Sequence, residues 1–150
     1  MRRETLIRIL IASVAGLVIQ TTHAVTIPAG ATLVVRTLHG ISSVDAPGTS
    51  VPTQLDKDVV VNGKVALSAG TKISGRVETS KRTSSRSSRL TVNITDVQVR
   101  DHSLPIKTTG AVGLENPIYK TRRGISVSKY SYQIPPGWKI EFRLAQPLNL

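Results

Sequence analysis

A chain of 150 residues carrying a formal charge of +11 and no cysteine has room for one ordinary domain and excludes disulfides, thiolate chemistry, iron–sulfur clusters and thiolate zinc sites. The apolar content of 39% comes mostly from Val, Ile and Leu, which suits a sheet core. The charge either favours anionic partners, such as acidic head groups and wall polymers, or serves solubility alone.

In chain order, Met1 to Arg8 is a basic segment, Ile9 to Ile19 an unbroken run of apolar or small residues, and Gln20 to Ala24 a polar stretch ending on a small residue. That order is the tripartite pattern of a secretion signal, with cleavage expected after Ala24. A spanning helix needs about 20 apolar residues, so the run is short for an anchor, although retention uncleaved stays open. Arg2, Arg3, Arg8 and Glu4 fall in this segment, which leaves residues 25–150 a formal +9 of the +11. The expected organisation is a signal over 1–24 and a single β-barrel-like domain over 25–150.

Beyond Ala24 the apolar residues recur with period two. Leu33 and Val35 alternate with Val34 and Arg36. Val59-Val60-Val61 and Lys64-Val65-Ala66-Leu67 flank Asn62-Gly63, the dipeptide that suits the paired positive-φ positions of a type I′ hairpin. Ile73 and Val77 share a face with Gly75 between them, and Trp138, Ile140, Phe142 and Leu144 share another against Lys139, Glu141 and Arg143. Two strands change phase partway. Leu90, Val92 and Ile94 are out of step with Val97 and Val99, which places a β-bulge near Thr95-Asp96. Ile125 and Val127 against Tyr130 and Tyr132 place another near Ser128-Lys129. Arg100 to Ser103 turns the chain back into Leu104-Pro105-Ile106, and a proline there points to an edge strand or a non-bonded ladder position. The expected fold is all-β: a small barrel or strongly coiled antiparallel sheet of about 7–9 strands, because bent, bulged strands suit closure.

One local device occurs three times. Ile27-Pro28-Ala29-Gly30, Leu67-Ser68-Ala69-Gly70 and Ile134-Pro135-Pro136-Gly137 are each followed by an aliphatic residue (Leu33, Ile73, Ile140) and then by Arg36, Arg76 and Arg143. The glycine permits a tight turn into a strand that points its aliphatic residue inward. Arg36, Arg76 and Arg143 are candidates for a basic row on the outer face, or are three separate solvated arginines.

Two segments read as mobile loops, near 79–89 and 110–124. The first is rich in Ser and cations and supplies Lys81, Arg82, Arg86 and Arg89; the second supplies Lys120, Arg122 and Arg123. These seven are the candidate anion-binding residues. No catalytic, cofactor-binding or metal site is expected. His39 and His102 lack ligand spacing, and a set of Ser42 or Ser43 with His39 and Asp45 lacks the G-x-S-x-G elbow. Asp56 and Asp58, with Lys57 between them, read as surface charge.

The repeated Pro-Ala-Gly device, the Val59 to Lys64 hairpin and the ending from Ile134 through Phe142 to Leu148 resemble a group of uncharacterised secreted bacterial β-proteins. That resemblance implies export and a β fold, and no known activity. More distantly, the Pro-x-Gly turn before a strand resembles the carboxy-terminal β-barrel of TrbI-type conjugation proteins, implying an envelope scaffold. This chain departs from that family in lacking a proline-rich linker and an α-helical pair. The leading expectation is a non-enzymatic exported domain, periplasmic, cell-surface or secreted, that binds an anionic envelope polymer or membrane surface, or an envelope protein. The alternatives are a structural or accessory subunit of an envelope secretion or surface assembly, and a small hydrolase with an unrecognised site. Export argues against nucleic acid, and no cofactor is expected.

Overall fold

The computed structural model describes residues 25–80, 89–114 and 131–150, and among these every regular element is a strand. The main sheet is antiparallel throughout. It is built from β2 (Thr32–Thr37), β4 (Ser50–Leu55), β7 (Lys72–Thr79), β8 (Leu90–Val99), β9 (His102–Pro105), β10 (Val112–Leu114) and β12 (Lys139–Arg143). Its order is β10-β8-β7-β4-β2-β12, with β9 also on β8. Three ribbons complete it: β1 (Thr26–Ile27) with β13 (Leu148–Asn149), β3 (Ile41–Ser42) with β11 (Gln133–Ile134), and the hairpin β5 (Val59–Val61) with β6 (Lys64–Leu67).

The sheet coils into a half-barrel whose ends are tied by a bridge between Thr108 and Leu144. There Thr109 N–H donates to the Arg143 carbonyl at 2.9 Å and Ala145 N–H to the Lys107 carbonyl at 2.8 Å. The concave side holds Leu33 and Val35 from β2, Leu55 from β4, Ile73 and Val77 from β7, and Ile140 and Phe142 from β12, all buried. Strict alternation along β7 and β12 sends polar residues to the convex side, and β2 alternates too, with Thr32, Val34 and Arg36 outward and Thr37 buried.

The phase slip in β8 is a bulge. Ser74 stands opposite Asp96 and the next residue, Gly75, opposite Ile94, so Thr95 is the extra residue that lets Leu90, Val92, Ile94 and Val97 all face inward. A second slip, between Val77 and Thr79, is not apparent in the apolar pattern. Asn62 and Gly63 have φ of 51° and 75°, the conformation a type I′ hairpin requires. Arg100 and Asp101, at 44° and 66°, form a like turn between β8 and β9 without a glycine. Pro105 lies in β9, whose one ladder is with β8, so the ring costs no interior hydrogen bond.

The turn device has one conformation throughout. Gly30, Gly70 and Gly137 have φ of 83°, 86° and 83°, and Gly48, at 87°, adds a fourth case. Each glycine N–H donates to the carbonyl of a residue on a neighbouring strand: Leu144, Leu55, Thr37 and Val77 respectively. Each of those residues donates its own N–H back to the residue after the glycine. The turn that starts β2 therefore caps β12, and the turn that starts β12 caps β2; β4 and β7 cap each other in the same way. Gly48 escapes the sequence pattern because Asp45 and Gln54 stand where the other copies have an aliphatic residue and an arginine. Only the inward Val51 is kept.

The loop boundaries need correction. Thr79 ends β7, and Ser80 is fully buried, so the polar tract does not begin at 79 as expected. The Thr79 hydroxyl donates to the Arg89 carbonyl at 2.8 Å and joins the two feet of the connection. Val112–Leu114, expected within an irregular connection, is a strand because β8 offers it a ladder that its own three residues do not announce. The bulge expected near Ser128-Lys129 lies outside the described residues, as does the segment 1–24. Residues 81–88 contain no apolar side chain. Replacing them with a short Gly-Ser turn while keeping Ser80 and Arg89 is expected to move the melting temperature by no more than about 3 °C, since halving a loop changes closure entropy by only about 0.6 kcal/mol. A loss of ten degrees or more in a calorimetric scan would show that the segment packs against the fold.

Candidate anion-binding face

The device sets the register, and the register sets where charge collects. Within a mutually capped pair, the residue two after one glycine stands opposite the residue six after the other. Lys139 is thus opposite Arg36 and Arg143 opposite Thr32, while Lys72 is opposite Gln54 and Arg76 opposite Ser50. The two pairs join where Arg36 meets Gln54. One lateral line therefore runs Lys139–Arg36–Gln54–Lys72 across four adjacent strands, spanning about 14 Å at the usual strand spacing. Lys139, Arg36 and Lys72 are exposed on the convex side.

The same rule separates the three arginines of the repeat. Arg36 and Arg143 share the convex face of adjacent strands, but four residues apart, about 13 Å along the strand. Arg76 lies opposite Ser50 and Asn93, also four residues along its strand from Lys72. The structure brings Arg36 together with lysines, not with Arg76 and Arg143. Lys72 and Lys139 escaped the sequence reading. Their signal was their shared place two residues after Gly70 and Gly137.

Local partners restrain part of this line. The Gln54 amide, turned with its oxygen toward Arg36, accepts from the guanidinium Nε at 2.6 Å. Lys139 Nζ lies 2.9 Å from Asp56 Oδ2, with the lysine 64% exposed. The hydrogen bond from Lys139 holds the Asp56 carboxyl below the usual carboxylate range, helped by the charges of Lys139, Arg36 and Lys57. Asp58 is also occupied, its Oδ1 accepting from Ala69 N–H at 2.6 Å in the Gly70 turn. The two aspartates thus brace strand ends, and among the described residues no carboxylate is paired with Lys72.

Of the seven loop candidates, Arg89 is exposed at the foot of its connection, and Lys81, Arg82, Arg86, Lys120, Arg122 and Arg123 lie outside the described residues. His39 and His102 are both exposed, the first in the turn after β2 and the second at the start of β9. Asp45 Oδ2 accepts from Ser42 N–H at 2.7 Å, and the buried Ser43 hydroxyl accepts from Tyr132 N–H at 2.9 Å. Those groups serve the β3–β11 corner. A shallow pocket of about 90 Å³ between Ile106, Lys107, Leu144 and Leu148 is far smaller than the few hundred Å³ of a small-molecule site.

No family model matches this chain. No curated protein matches it. Among solved structures it is similar to ComB10 of the Com type IV secretion system of Helicobacter pylori, with a TM-score of 0.48 and 12% sequence identity over 81% of this chain and 88% of that one.

Proposed function

We propose that this chain is a non-enzymatic, exported envelope domain that binds an anionic surface through the end of its sheet where Lys139, Arg36 and Lys72 line up. The observation that carries the reading is that line, fixed by backbone register and left facing water. Cations held at strand spacing on a rigid sheet present charge at low entropic cost, and the formal +9 of residues 25–150 supplies long-range attraction. Lys81, Arg82, Arg86, Arg89, Lys120, Arg122 and Arg123 add to the net positive charge of the chain.

The test is co-sedimentation with a purified anionic wall polymer across a salt series. Binding is expected to weaken at least about tenfold between roughly 0.05 and 0.3 M salt, as screening shortens the reach of exposed charges. Arg36→Gln with Lys72→Gln should flatten that dependence while lowering the melting temperature by no more than about 5 °C, the scale of the exposed hydrogen bond that Arg36 gives Gln54; Lys139 is kept because it holds Asp56. A wild-type chain that stays in the supernatant at low salt would remove this reading. Its place would go to a structural subunit of an envelope assembly, with size-exclusion mass as the next measurement.

A further inference from the structure

The β5–β6 hairpin stands outside the main sheet and pairs only within itself. Its inner side chains, Val59, Val61, Ala66 and Leu67, pack on the core. Its outer side chains do not. Val60 and Val65 stand directly opposite each other in the ladder and are 57% and 51% exposed. Exposed Lys57 precedes the hairpin and exposed Lys64 opens β6 opposite Val61, one residue from the Val60–Val65 pair and on the alternate face, while the neighbouring carboxylates of Asp56 and Asp58 are held by Lys139 and by the Ala69 N–H. The hairpin leaves the sheet between Leu55 and Lys72, at the end where the cationic line runs. An apolar pair on a hairpin with one lysine at its base and one at its tip, beside a row of cations, matches a partner that offers negative charge at its surface and an apolar phase just beneath it. A hydrated polyanion offers only the first. An acidic bilayer offers both.

We infer that this hairpin is a membrane-docking element that seats Val60 and Val65 at the acyl boundary of an acidic phospholipid bilayer, with Lys57 and Lys64 on the head groups. The inference rests on the anionic-surface reading and names the surface.

The experiment uses the chain as recovered from the envelope fraction of the producing cell, with its first residue fixed by intact mass. Binding is measured to vesicles of phosphatidylcholine mixed with phosphatidylglycerol, to phosphatidylcholine alone, and to soluble polyphosphate. Val60→Thr with Val65→Thr keeps shape and strand propensity while removing apolar surface. It is expected to bind the mixed vesicles about tenfold more weakly and polyphosphate as the wild type does. Lys57→Gln with Lys64→Gln should weaken the preference for mixed over neutral vesicles. Because the chain has no cysteine, Val60→Cys carries a single environment-sensitive fluorophore, whose emission should shift to the blue on mixed vesicles. Vesicle binding unaffected by the threonine pair, or a label that keeps its aqueous emission, overturns the inference. Binding to polyphosphate but not to vesicles overturns it as well and leaves the anionic-surface reading standing. Binding to neither overturns both.

Discussion

Phe142→Ala is expected to destabilise the domain by about 3–5 kcal/mol, the usual cost of removing a buried aromatic ring and leaving its cavity. Phe142 is the one phenylalanine of the chain and is 1% exposed. It stands opposite the fully buried Leu33 in the β2–β12 ladder. On its other side β12 is tied back through the Thr108–Leu144 bridge, so the ring sits where the coiled sheet meets its own far end. A cavity there weakens both the ladder and the tie. Domains of this kind have about 5–15 kcal/mol in total, so the variant should melt about 10–20 °C lower or fail to fold near body temperature. Phe142→Leu, which keeps most of the volume, should cost less than half as much. Thermal unfolding followed by circular dichroism measures both. A loss under about 1 kcal/mol for the alanine variant would mean that β12 does not seal the half-barrel as described.

Gly75→Ala should destabilise by about 2–3 kcal/mol, the reverse of the small gain that replacing glycine brings where the backbone is unstrained and open. A Cβ at Gly75 would lie 2.8 Å from the Asn93 carbonyl oxygen and 3.3 Å from that of Val51. Both are backbone atoms, one on each neighbouring strand, so no side-chain rotation relieves the clash. β7 lies between β4 and β8, and the bulge at Thr95 lies next to this point in the ladder. Relief requires moving a ladder that carries Ile73 and Val77 into the core. Urea unfolding with a fitted slope decides it. A variant as stable as the wild type would show that the strands spread without cost.

Much of the fold was legible because its instructions are local. Asn62-Gly63 announces its own turn, the alternation in β12 assigns its inner face, and the lost phase after Ile94 reveals an inserted residue. The turn device was legible in three copies, and the fourth was hidden because Asp45 and Gln54 erase its flanking marks. Ser80 misled for a related reason: its composition matches the polar tract, while its burial comes from the strand end to which it is attached. Val112–Leu114 is a strand because β8 has an unfilled edge, a fact stored elsewhere in the chain.

The candidate face divides in the same way. By itself the sequence determined an all-β chain, its excess of positive charge, the residues that turn inward and the glycines at which strands begin. Which cations meet was decided only by tertiary structure. Antiparallel strands that cap each other run in opposite senses, so equivalent arginines are carried to opposite ends and each faces the start of its neighbour. Lys139, Arg36 and Lys72 lie far apart along the chain and adjacent on the sheet because hydrogen-bond register, a pairwise property of distant segments, brings them into line.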